Sequence, residues 1–428
     1  MTTTSAHPTP KQGTTYQGIL LLFAACMSVL AATIITPILP QLSAQFPDAP
    51  DAVIQMIVVI PALLVALCSP FAGQIVDRIG RKWLGIICLF IYAAAGTVPA
   101  WAESLGVILA SRVVVGLSEA AVITVSTTLI VDYFDGRRRD RFLGLQTVAT
   151  SLSAVVFIAI GGALGAHSWH TPFFVYFIGA VLAVLMIFAL WEPGRDSQSH
   201  RDVTAGAKEK LHFGPLVAPL LVTLFGGFTF YILIIEMSYL VVENGVAAND
   251  TAKIGLFSAI AAVATAAGGL SFPTIAKIRL GVRVPMIFAF QGVGFILLWV
   301  LPGLPGLMIG SIVACFASGF LLPTMLTWVV AKVKFALRGR VTGLWNFSFF
   351  FGQFATALIM GGISGAIGDL HASVGVVGIA AIVVAVITAV WLRKDSGPAE
   401  HNPNEGAEGT AGFGGMTPPT AAVPEVKA

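Results

Sequence analysis

Charged residues are scarce in this chain of 428 residues. Only 11% of its residues are Asp, Glu, Lys or Arg, whereas a soluble domain has about 25%. Hydrophobic residues make up 57% of the chain, and the mean hydropathy is +0.89. A single soluble core could not bury that much apolar surface, but a lipid bilayer can. The composition therefore excludes an ordinary soluble protein and predicts a protein that crosses the membrane many times.

Cysteine and catalytic motifs are also scarce. The four cysteines lie far apart inside apolar stretches and without metal-ligand spacing, so they indicate core residues and no disulfide framework. The chain has no glycine-rich phosphate loop with a lysine and no ordered Ser-His-Asp set. We therefore predict no enzyme, no metal site and no cofactor. Without an ATP site, an ion gradient or the gradient of the substrate itself must supply the energy.

Twelve apolar runs follow one another along the chain, each near the ~20 residues that a helix needs to cross a bilayer. They lie at about 17–40, 52–72, 83–101, 104–131, 142–166, 172–191, 214–242, 253–275, 284–302, 304–331, 341–363 and 372–392. An even number of spans places both termini on one side. With that side in the cytoplasm, all of the 24 Lys and Arg residues except Arg112 and Lys253 are cytoplasmic. We therefore expect a multi-pass protein of the cell inner (plasma) membrane with both termini in the cytoplasm.

The predicted helices form two similar halves. The expected parts are a cytoplasmic tail at 1–16, a six-helix bundle at 17–191, a cytoplasmic linker at 192–213, a six-helix bundle at 214–392 and a disordered cytoplasmic tail at 393–428. Arg141-Phe-Leu-Gly-Leu recurs as Arg340-Val-Thr-Gly-Leu, and Gly161-Gly162 recurs as Gly361-Gly362. Such repeats predict an all-α polytopic fold of two pseudo-symmetric bundles, with a substrate site between them near the membrane midplane.

A short charged segment between the second and third apolar runs carries a specific motif, Gly-x-x-x-Asp-Arg-x-Gly-Arg-Lys. Its residues are Gly73, Asp77, Arg78, Gly80, Arg81 and Lys82. The segment resembles the loop signature of the major facilitator superfamily and stands where that family carries it. Two further segments are similar to signatures of the same family: Arg112, Gly116, Ala120 and Ala121 in the fourth helix, and Ser168–Phe173 before the sixth.

The resemblance covers about residues 17–392 and implies a secondary transporter most like bacterial drug and metabolite efflux members. Thr33–Pro40 resembles the end of helix one in exporters of drugs and of siderophore-like metabolites. The helix-five signature of drug–proton antiporters is incomplete, because Phe157 and Ile158 stand at its Gly-Pro positions. We predict export of a small organic compound by proton antiport with alternating access. The alternatives are a proton-coupled uptake symporter for an organic acid and a non-transporting sensor on a transporter fold.

The resemblance also implies a gate at the charged motif. In such families Asp77 is expected to face the start of helix eleven, where the helix N-terminus carries partial positive charge. Arg81 could pair with Asp77 and with Asp132 at the end of helix four, so that the latch closes the cytoplasmic side. Ile278 replaces the aspartate in the second half, which predicts a one-sided latch. The predicted gating residues are Gly73, Asp77, Arg78, Gly80, Arg81, Lys82 and Asp132. The alternative is that the cluster only fixes topology.

Three ionisable residues lie inside apolar runs. Arg112 and Glu119 are seven residues apart, so they share one face of the fourth helix at a separation of about 10 Å. Glu236 lies in the seventh helix. Ionisable groups at membrane depth are costly and usually serve function. We predict proton coupling for Glu119, Arg112 and Glu236, and the resemblance supports this role for Arg112. For Arg112 and Glu119 the alternatives are substrate binding and a static salt bridge. For Glu236 they are cation binding, closure of an outer gate and a position at the outer interface.

A polar pair in the eleventh helix, Asn346 and Gln353, shares one face amid several phenylalanines. This pattern suits a mostly apolar organic ligand with a few hydrogen bonds, although phenylalanine in a membrane helix also faces lipid or packs. The predicted substrate-binding residues are Asn346, Gln353, Tyr231, Trp328 and Phe350. The expected partners are a small organic substrate, protons and the lipid bilayer. We expect no nucleic acid, and we expect the protein to act as a monomer.

Overall fold

The structure is a computed structural model that describes residues 12–71, 80–193, 211–333 and 337–394. Within these ranges it contains twelve helices that are long and apolar enough to cross a membrane, which confirms the predicted number of spans. We label them α1–α12: Thr15–Gln45, Asp51–Cys68, Arg81–Ala100, Leu105–Tyr133, Gly136–Gly165, Thr171–Ala189, Gly214–Glu243, Thr251–Leu270, Leu280–Val300, Gly303–Ala331, Arg338–Ile367 and Leu370–Trp391. The described ranges contain no strand, so the predicted all-α class is confirmed.

Most helix ends lie within a few residues of the predicted apolar runs. α5 is the largest exception, because it begins at Gly136, whereas the apolar run begins at 142. Its first turns carry the basic segment Arg137–Arg141, which continues the helix beyond the apolar stretch. The predicted linker is described only at 192–193 and 211–213, and the predicted tails only at 12–16 and 393–394.

α1 is interrupted toward its end, and α10 is interrupted near its middle. α1 consists of the helix Thr15–Thr33, a 3₁₀ turn at Thr36–Ile38 and the helix Leu39–Gln45. Pro37 and Pro40 lack a backbone N–H, so they cannot continue the hydrogen-bond ladder of the first segment. The break redirects the last turns of α1, which then reach α7 and α8 of the second half.

The two ends of the helix bundle differ in charge. The start of α3 and the junction of α4 with α5 carry Arg81, Lys82 and the segment Arg137–Arg141, and we call this the basic end. The other end, which we call the opposite end, contains the starts of α2 and α8 and the ends of α5 and α7. The basic end is the one that the positive-inside rule assigns to the cytoplasm.

Contacts between the halves α1–α6 and α7–α12 run mainly along two helix pairs, α2 with α11 and α5 with α8. At the opposite end α5 crosses α8 closely, because Gly162 faces Gly255. A methyl group added to Gly162 would lie 2.9 Å from the Cα of Gly255. Small residues at such a crossing let two backbones approach and pack. Thr251 also donates a 2.8 Å hydrogen bond to the carbonyl of Gly162.

The apolar core is continuous across the interface. The largest buried cluster fills the first half with residues such as Leu30, Ile57 and Phe173. The same cluster includes Tyr231 of α7 and Ala357 of α11, which belong to the second half. The candidate functional groups lie around this shared core.

Candidate functional site

Arg112 is fully buried in the first half, where protein acceptors surround its guanidinium. Nη1 donates to the hydroxyl of Tyr176 at 2.8 Å, and Nη2 donates to the carbonyl of Gly96 at 3.1 Å. The carbonyls at the end of the α-helical part of α3 carry partial negative charge, which favours a cation there. The guanidinium carbon also lies 5.5 Å and 5.1 Å from the ring centres of Phe173 and Tyr176, in cation–π range.

Glu119 lies two turns further along α4, and the described residues give it no ion pair and no hydrogen bond. In the described residues, Arg112 and Glu119 therefore do not form a static salt bridge. Glu119 is only 5% exposed, and its Oε2 atom is buried without a partner. A buried polar atom without a partner is rare in native structures, because removing it from water costs free energy that nothing offsets.

Tyr231 of α7 brings the second half close to Glu119. Its ring is buried, and it lies within electrostatic range of Glu119 and of Tyr176. Its hydroxyl makes no hydrogen bond to any described residue, in contrast to Tyr176, which is bonded to Arg112. Two polar groups with unused hydrogen-bonding capacity, one from each half, therefore lie near each other at membrane depth.

Glu236 of α7 is buried at the interface between the two halves. Only 2% of the residue is exposed. The amide Nε2 of Gln55 in α2 donates to both carboxylate oxygens at 3.1 Å. Gln55 is itself 4% exposed, and its Oε1 is buried without a partner among the described residues. This contact joins the first half to the second.

A second polar contact joins the halves closer to the opposite end. The hydroxyl of Ser43 donates to Oδ1 of Asp51 at 2.6 Å, and it lies 2.9 Å from the hydroxyl of Tyr239. Because the Ser43 proton is directed to Asp51, the Tyr239 hydroxyl is the donor to Ser43. Asp51 and Gln55 are one turn apart on α2, and Glu236 and Tyr239 are nearly one turn apart on α7. The two contacts therefore lie nearly one turn apart along α7, with Gln55 of α2 in the first and Ser43 of α1 in the second.

The predicted substrate residues of α11 differ in their surroundings. Gln353 is 6% exposed and Asn346 is partly buried, and neither amide makes a hydrogen bond within the described ranges. Phe350 packs edge to face with Phe349 at 5.8 Å and remains partly accessible. The polar pair therefore retains free donors and acceptors beside an aromatic surface.

Trp328 of α10 has a different environment. It is 1% exposed within the core of the second half, where its ring lies 6.0 Å from that of Trp391. A substrate would reach it only if the surrounding helices separated. Trp328 is thus the least accessible of the five predicted substrate residues.

The described part of the charged motif is held at the start of α3. Arg81 forms an ion pair with Asp132, and both side chains are almost fully buried. Glu192 accepts hydrogen bonds from the backbone N–H groups of Arg81 and Lys82, so a carboxylate meets the positive end of the α3 dipole. Gly80 has a φ of +99°, a conformation that favours glycine. Gly73, Asp77 and Arg78 lie outside the described residues, so the predicted pairing of Asp77 is not described.

Three potential metal ligands also meet at the opposite end, where the sequence predicted no metal site. Ligand atoms of Glu243, Asp369 and His371 lie within 4.8 Å of one another. The imidazole is already engaged on both sides, since Nδ1 is 3.0 Å from the carboxylate of Glu243 and Nε2 is 2.9 Å from the amide of Asn244. The two carboxylates are exposed. The hydrogen bonds of His371 to Glu243 and Asn244 join the end of α7 to the start of α12.

Comparison with known proteins decides the family. The profile of the Major Facilitator Superfamily matches residues 21–290 and 220–424, which together cover most of the chain. The chain belongs to the major facilitator superfamily. This family consists of transporters and not of enzymes, in agreement with the prediction from the sequence.

Two relatives in Bacillus subtilis (strain 168) are named for multidrug resistance and for bacillibactin export. Multidrug resistance protein 1 is 28% identical over 181 residues, which cover 42% of this chain and 46% of the relative. The bacillibactin exporter is 26% identical over 162 residues, which cover 36% of this chain and 40% of the relative. The matched stretches thus span less than half of the length of each relative.

Solved structures of the superfamily share the fold. A bacterial homologue of the human lysosomal transporter Spinster, in an inward-facing and occupied conformation, has a TM-score of 0.71 at 19% identity over 90% of this chain and 99% of that chain. The human organic anion transporter MFSD10 (TETRAN) has a TM-score of 0.65 at 18% identity over 90% of this chain and 100% of that chain. At these identities the likeness shows the fold alone.

Three residues that contact the predicted site of this major facilitator were missed by sequence reasoning: Gln55, Tyr176 and Glu192. A signal existed for Gln55, because a lone glutamine inside an apolar helix needs a hydrogen-bond partner. No comparable signal existed for Glu192, which follows α6 in sequence but caps α3 in space. Tyr176 lies in an apolar run and gives no indication that its hydroxyl meets Arg112.

Proposed function

We propose that this transporter exports a small organic compound in exchange for protons, by alternating access between the two halves. The observation that carries the proposal is the buried carboxylate oxygen of Glu119, which has no partner in the described residues and lies near Tyr231 of the other half. A carboxylate in this state can be satisfied by a proton or by a donor group of a substrate. Mutual exclusion of proton and substrate at one group is a simple physical basis for antiport.

Arg112 acts in this scheme as a fixed positive charge. Nη1 donates to Tyr176 and Nη2 donates to the α3 carbonyls, so the guanidinium does not need Glu119 as a partner. It lies close enough to influence the carboxylate electrostatically, and its position stays constant while Glu119 gains and loses a proton. The occupied donors also argue against the uptake alternative, in which Arg112 binds the carboxylate of an organic acid.

The substrate would contact Tyr231, Asn346, Gln353 and Phe350 between the halves. The first three retain unused hydrogen-bonding groups among the described residues, and Phe350 adds a partly accessible ring. This mixture suits a largely apolar organic molecule with a few polar groups. The relatives named for multidrug resistance and for bacillibactin export support this class.

The basic end would face the cytoplasm, in agreement with the positive-inside rule. Arg81, Lys82 and Asp132 would form part of the gate there, together with Gly73, Asp77, Arg78 and Gly80. The close crossing of α5 with α8 and the polar contacts of α7 hold the opposite end together in this conformation. We infer a cycle in which this end opens to release the substrate to the outside.

The test of the proposal is proton-driven transport by the purified chain in liposomes. Glu119→Gln removes the titrating group and keeps its size, so we expect loss of at least tenfold of the pH-driven flux while the protein remains folded in the membrane. Glu103→Gln, an exposed carboxylate between α3 and α4, is the matched control and should retain flux.

An imposed pH gradient also separates the alternatives. Substrate moving against the proton flow supports export, substrate moving with the protons supports uptake, and no flux of any tested compound supports a sensor. A Glu119→Gln protein with unchanged proton dependence would contradict the assignment of Glu119.

A further inference from the structure

The contact between Gln55 and Glu236 is incompletely satisfied in a specific way. One amide nitrogen serves both carboxylate oxygens at 3.1 Å, while the amide oxygen of Gln55 is buried without a donor in the described ranges. Both residues are nearly inaccessible to bulk water. An ionised carboxylate cannot satisfy the amide oxygen of Gln55, because it has no proton to donate.

A proton on Glu236 would remove this deficiency. A rotation of the Gln55 side chain about its last torsion then allows two hydrogen bonds, from the acid O–H to Oε1 and from Nε2–H to the remaining carboxyl oxygen. The proton comes from water on the side to which the site is open, and no other bond is formed or broken. The amide and the carboxylic acid then form a cyclic pair in which every polar atom is satisfied.

The charges around Glu236 also favour the protonated form. The charged groups close enough to affect it are Asp51 at the start of α2 and Glu243 at the end of α7, and both are acidic. Lys253 at the start of α8 is paired with Asp250, and His371 of α12 is bonded to Glu243. α1, α10 and α11, which also pack against α7, contribute no Asp, Glu, Lys or Arg near this end, and the remaining nearby titratable group, Tyr239, is bonded to Ser43.

We propose that Gln55 and Glu236 form a protonation-linked latch that holds the opposite end closed. With its proton, Glu236 pairs with Gln55 and joins the two halves. Without its proton, the carboxylate is solvated better by water, and the end opens. This inference rests on the proposed proton exchange, and it makes Gln55 the positioning residue through which a proton on one half controls the other half.

The contact between Tyr239 and Ser43 provides an internal control. It joins α7 to Ser43 of α1, nearly one turn nearer to the opposite end, and it does not contain Glu236. Removing it by Tyr239→Phe should weaken closure at every pH and leave the response to pH in place. Removing Gln55 by Gln55→Leu should remove the response itself.

The experiment measures the distance across the opposite end in the full chain, reconstituted in lipid nanodiscs. Spin labels are placed at Gln45→Cys and Asn249→Cys, two exposed positions at the opposite end from different halves, after replacement of the four native cysteines. Distance distributions are recorded by double electron–electron resonance from mildly acidic to mildly alkaline pH. Glu236→Gln mimics the protonated acid and keeps its volume.

We expect the short distance to dominate in the wild type at acidic pH and the closed-to-open ratio to fall about tenfold or more on going to alkaline pH. A tenfold difference in proton affinity between the two states gives a change of this size. Glu236→Gln should stay closed throughout, Gln55→Leu should lose the pH response, and Tyr239→Phe should retain it.

A wild-type distribution that does not change with pH would overturn the latch, and so would a Glu236→Gln protein that is open throughout. A Gln55→Leu protein with an unchanged pH response would overturn the role of Gln55. Because this measurement reports a distance, it can fail while proton-driven export stands. It can also succeed for a protein in which Glu119→Gln leaves transport unchanged, so the two proposals fail separately.

Discussion

Arg112 and Glu119, two ionisable residues buried at membrane depth, differ in how their polar groups are satisfied. The guanidinium of Arg112 is bonded to Tyr176 and to backbone carbonyls, and two aromatic rings cover it. Among the described residues Glu119 has no such partners, and one of its oxygens is buried without a hydrogen bond. A charge whose hydrogen bonds are all made within the protein stabilises one conformation. A carboxylate without such partners can bind a proton or a donor group of the substrate. The division of roles between a fixed cation and a titrating acid follows from this difference.

The bond from Arg112 to Tyr176 should therefore contribute to stability. Tyr176→Phe keeps the ring but removes the acceptor at 2.8 Å, and hydrogen bonds to charged groups contribute about 1.5–3 kcal/mol. Tyr92→Phe is the matched control, because its buried hydroxyl donates to the neutral carbonyl of Met27, a bond that contributes about 0.5–1.5 kcal/mol. We expect a larger fall of the thermal unfolding midpoint for Tyr176→Phe, measured in detergent. Equal falls for the two variants would contradict the proposed support of Arg112.

At the scale of helices, close approach depends on residues without side chains. α5 and α8 belong to different halves, and their backbones meet where Gly162 faces Gly255. A larger residue at either position would separate the helices, so these glycines determine how tightly the opposite end can close. The α5 glycine pair was noted in the sequence for its repeat, and its contact with α8 gives the repeat a packing role.

Gly162→Ala should therefore shift the transporter away from the closed opposite end. The added methyl group would lie 2.7 Å from the carbonyl oxygen of Thr251, and overpacking of this kind costs about 1–3 kcal/mol. That cost changes the closed-to-open ratio by about 5-fold to more than 100-fold. The same label pair at Gln45 and Asn249 measures the change.

Gly144→Ala, on the same helix, is the control for this substitution. An added methyl group there meets no atom within 4 Å in the described part of the chain. We expect its distance distribution to match the wild type. A Gly162→Ala protein with the same distribution would show that α5 and α8 can separate slightly without opening the end.

At the scale of the whole molecule, the two halves carry different parts of the proposed cycle. The first half contains Arg112, Glu119 and the ion pair of Arg81 with Asp132, whereas the second half supplies Tyr231 and the polar residues of α11. Gln55 and Glu236 connect the halves. Since the site draws on both halves, a relative movement of the halves changes every one of these contacts together.

The proposed orientation predicts which end of the molecule faces the outside of the cell. In a cysteine-free background, Ala247→Cys at the opposite end should react with a membrane-impermeant maleimide in intact cells. Arg137→Cys at the basic end should react only after the membrane is permeabilised. Both positions are exposed, so access to the reagent and not burial decides the result. The reverse pattern would place the basic end outside and contradict the proposed direction of export.

The sequence by itself determined the number of helices, their approximate ends, their division into two halves and the family. These properties are local, because each span must satisfy its own backbone hydrogen bonds in lipid and must be long enough to cross it. The depth of Arg112, Glu119 and Glu236 could be predicted for the same reason. Each follows from the position of a charge within one apolar run.

The tertiary structure alone decided which groups these residues meet. Gln55 and Glu236 are 181 residues apart, and only the packing of α2 near α7 brings them together. The same holds for Glu192 at the start of α3, and the burial of Trp328 likewise depends on its neighbouring helices. Lipid is equally apolar around every helix, so hydropathy cannot select a helix partner. Small residues and polar contacts between distant segments make that selection.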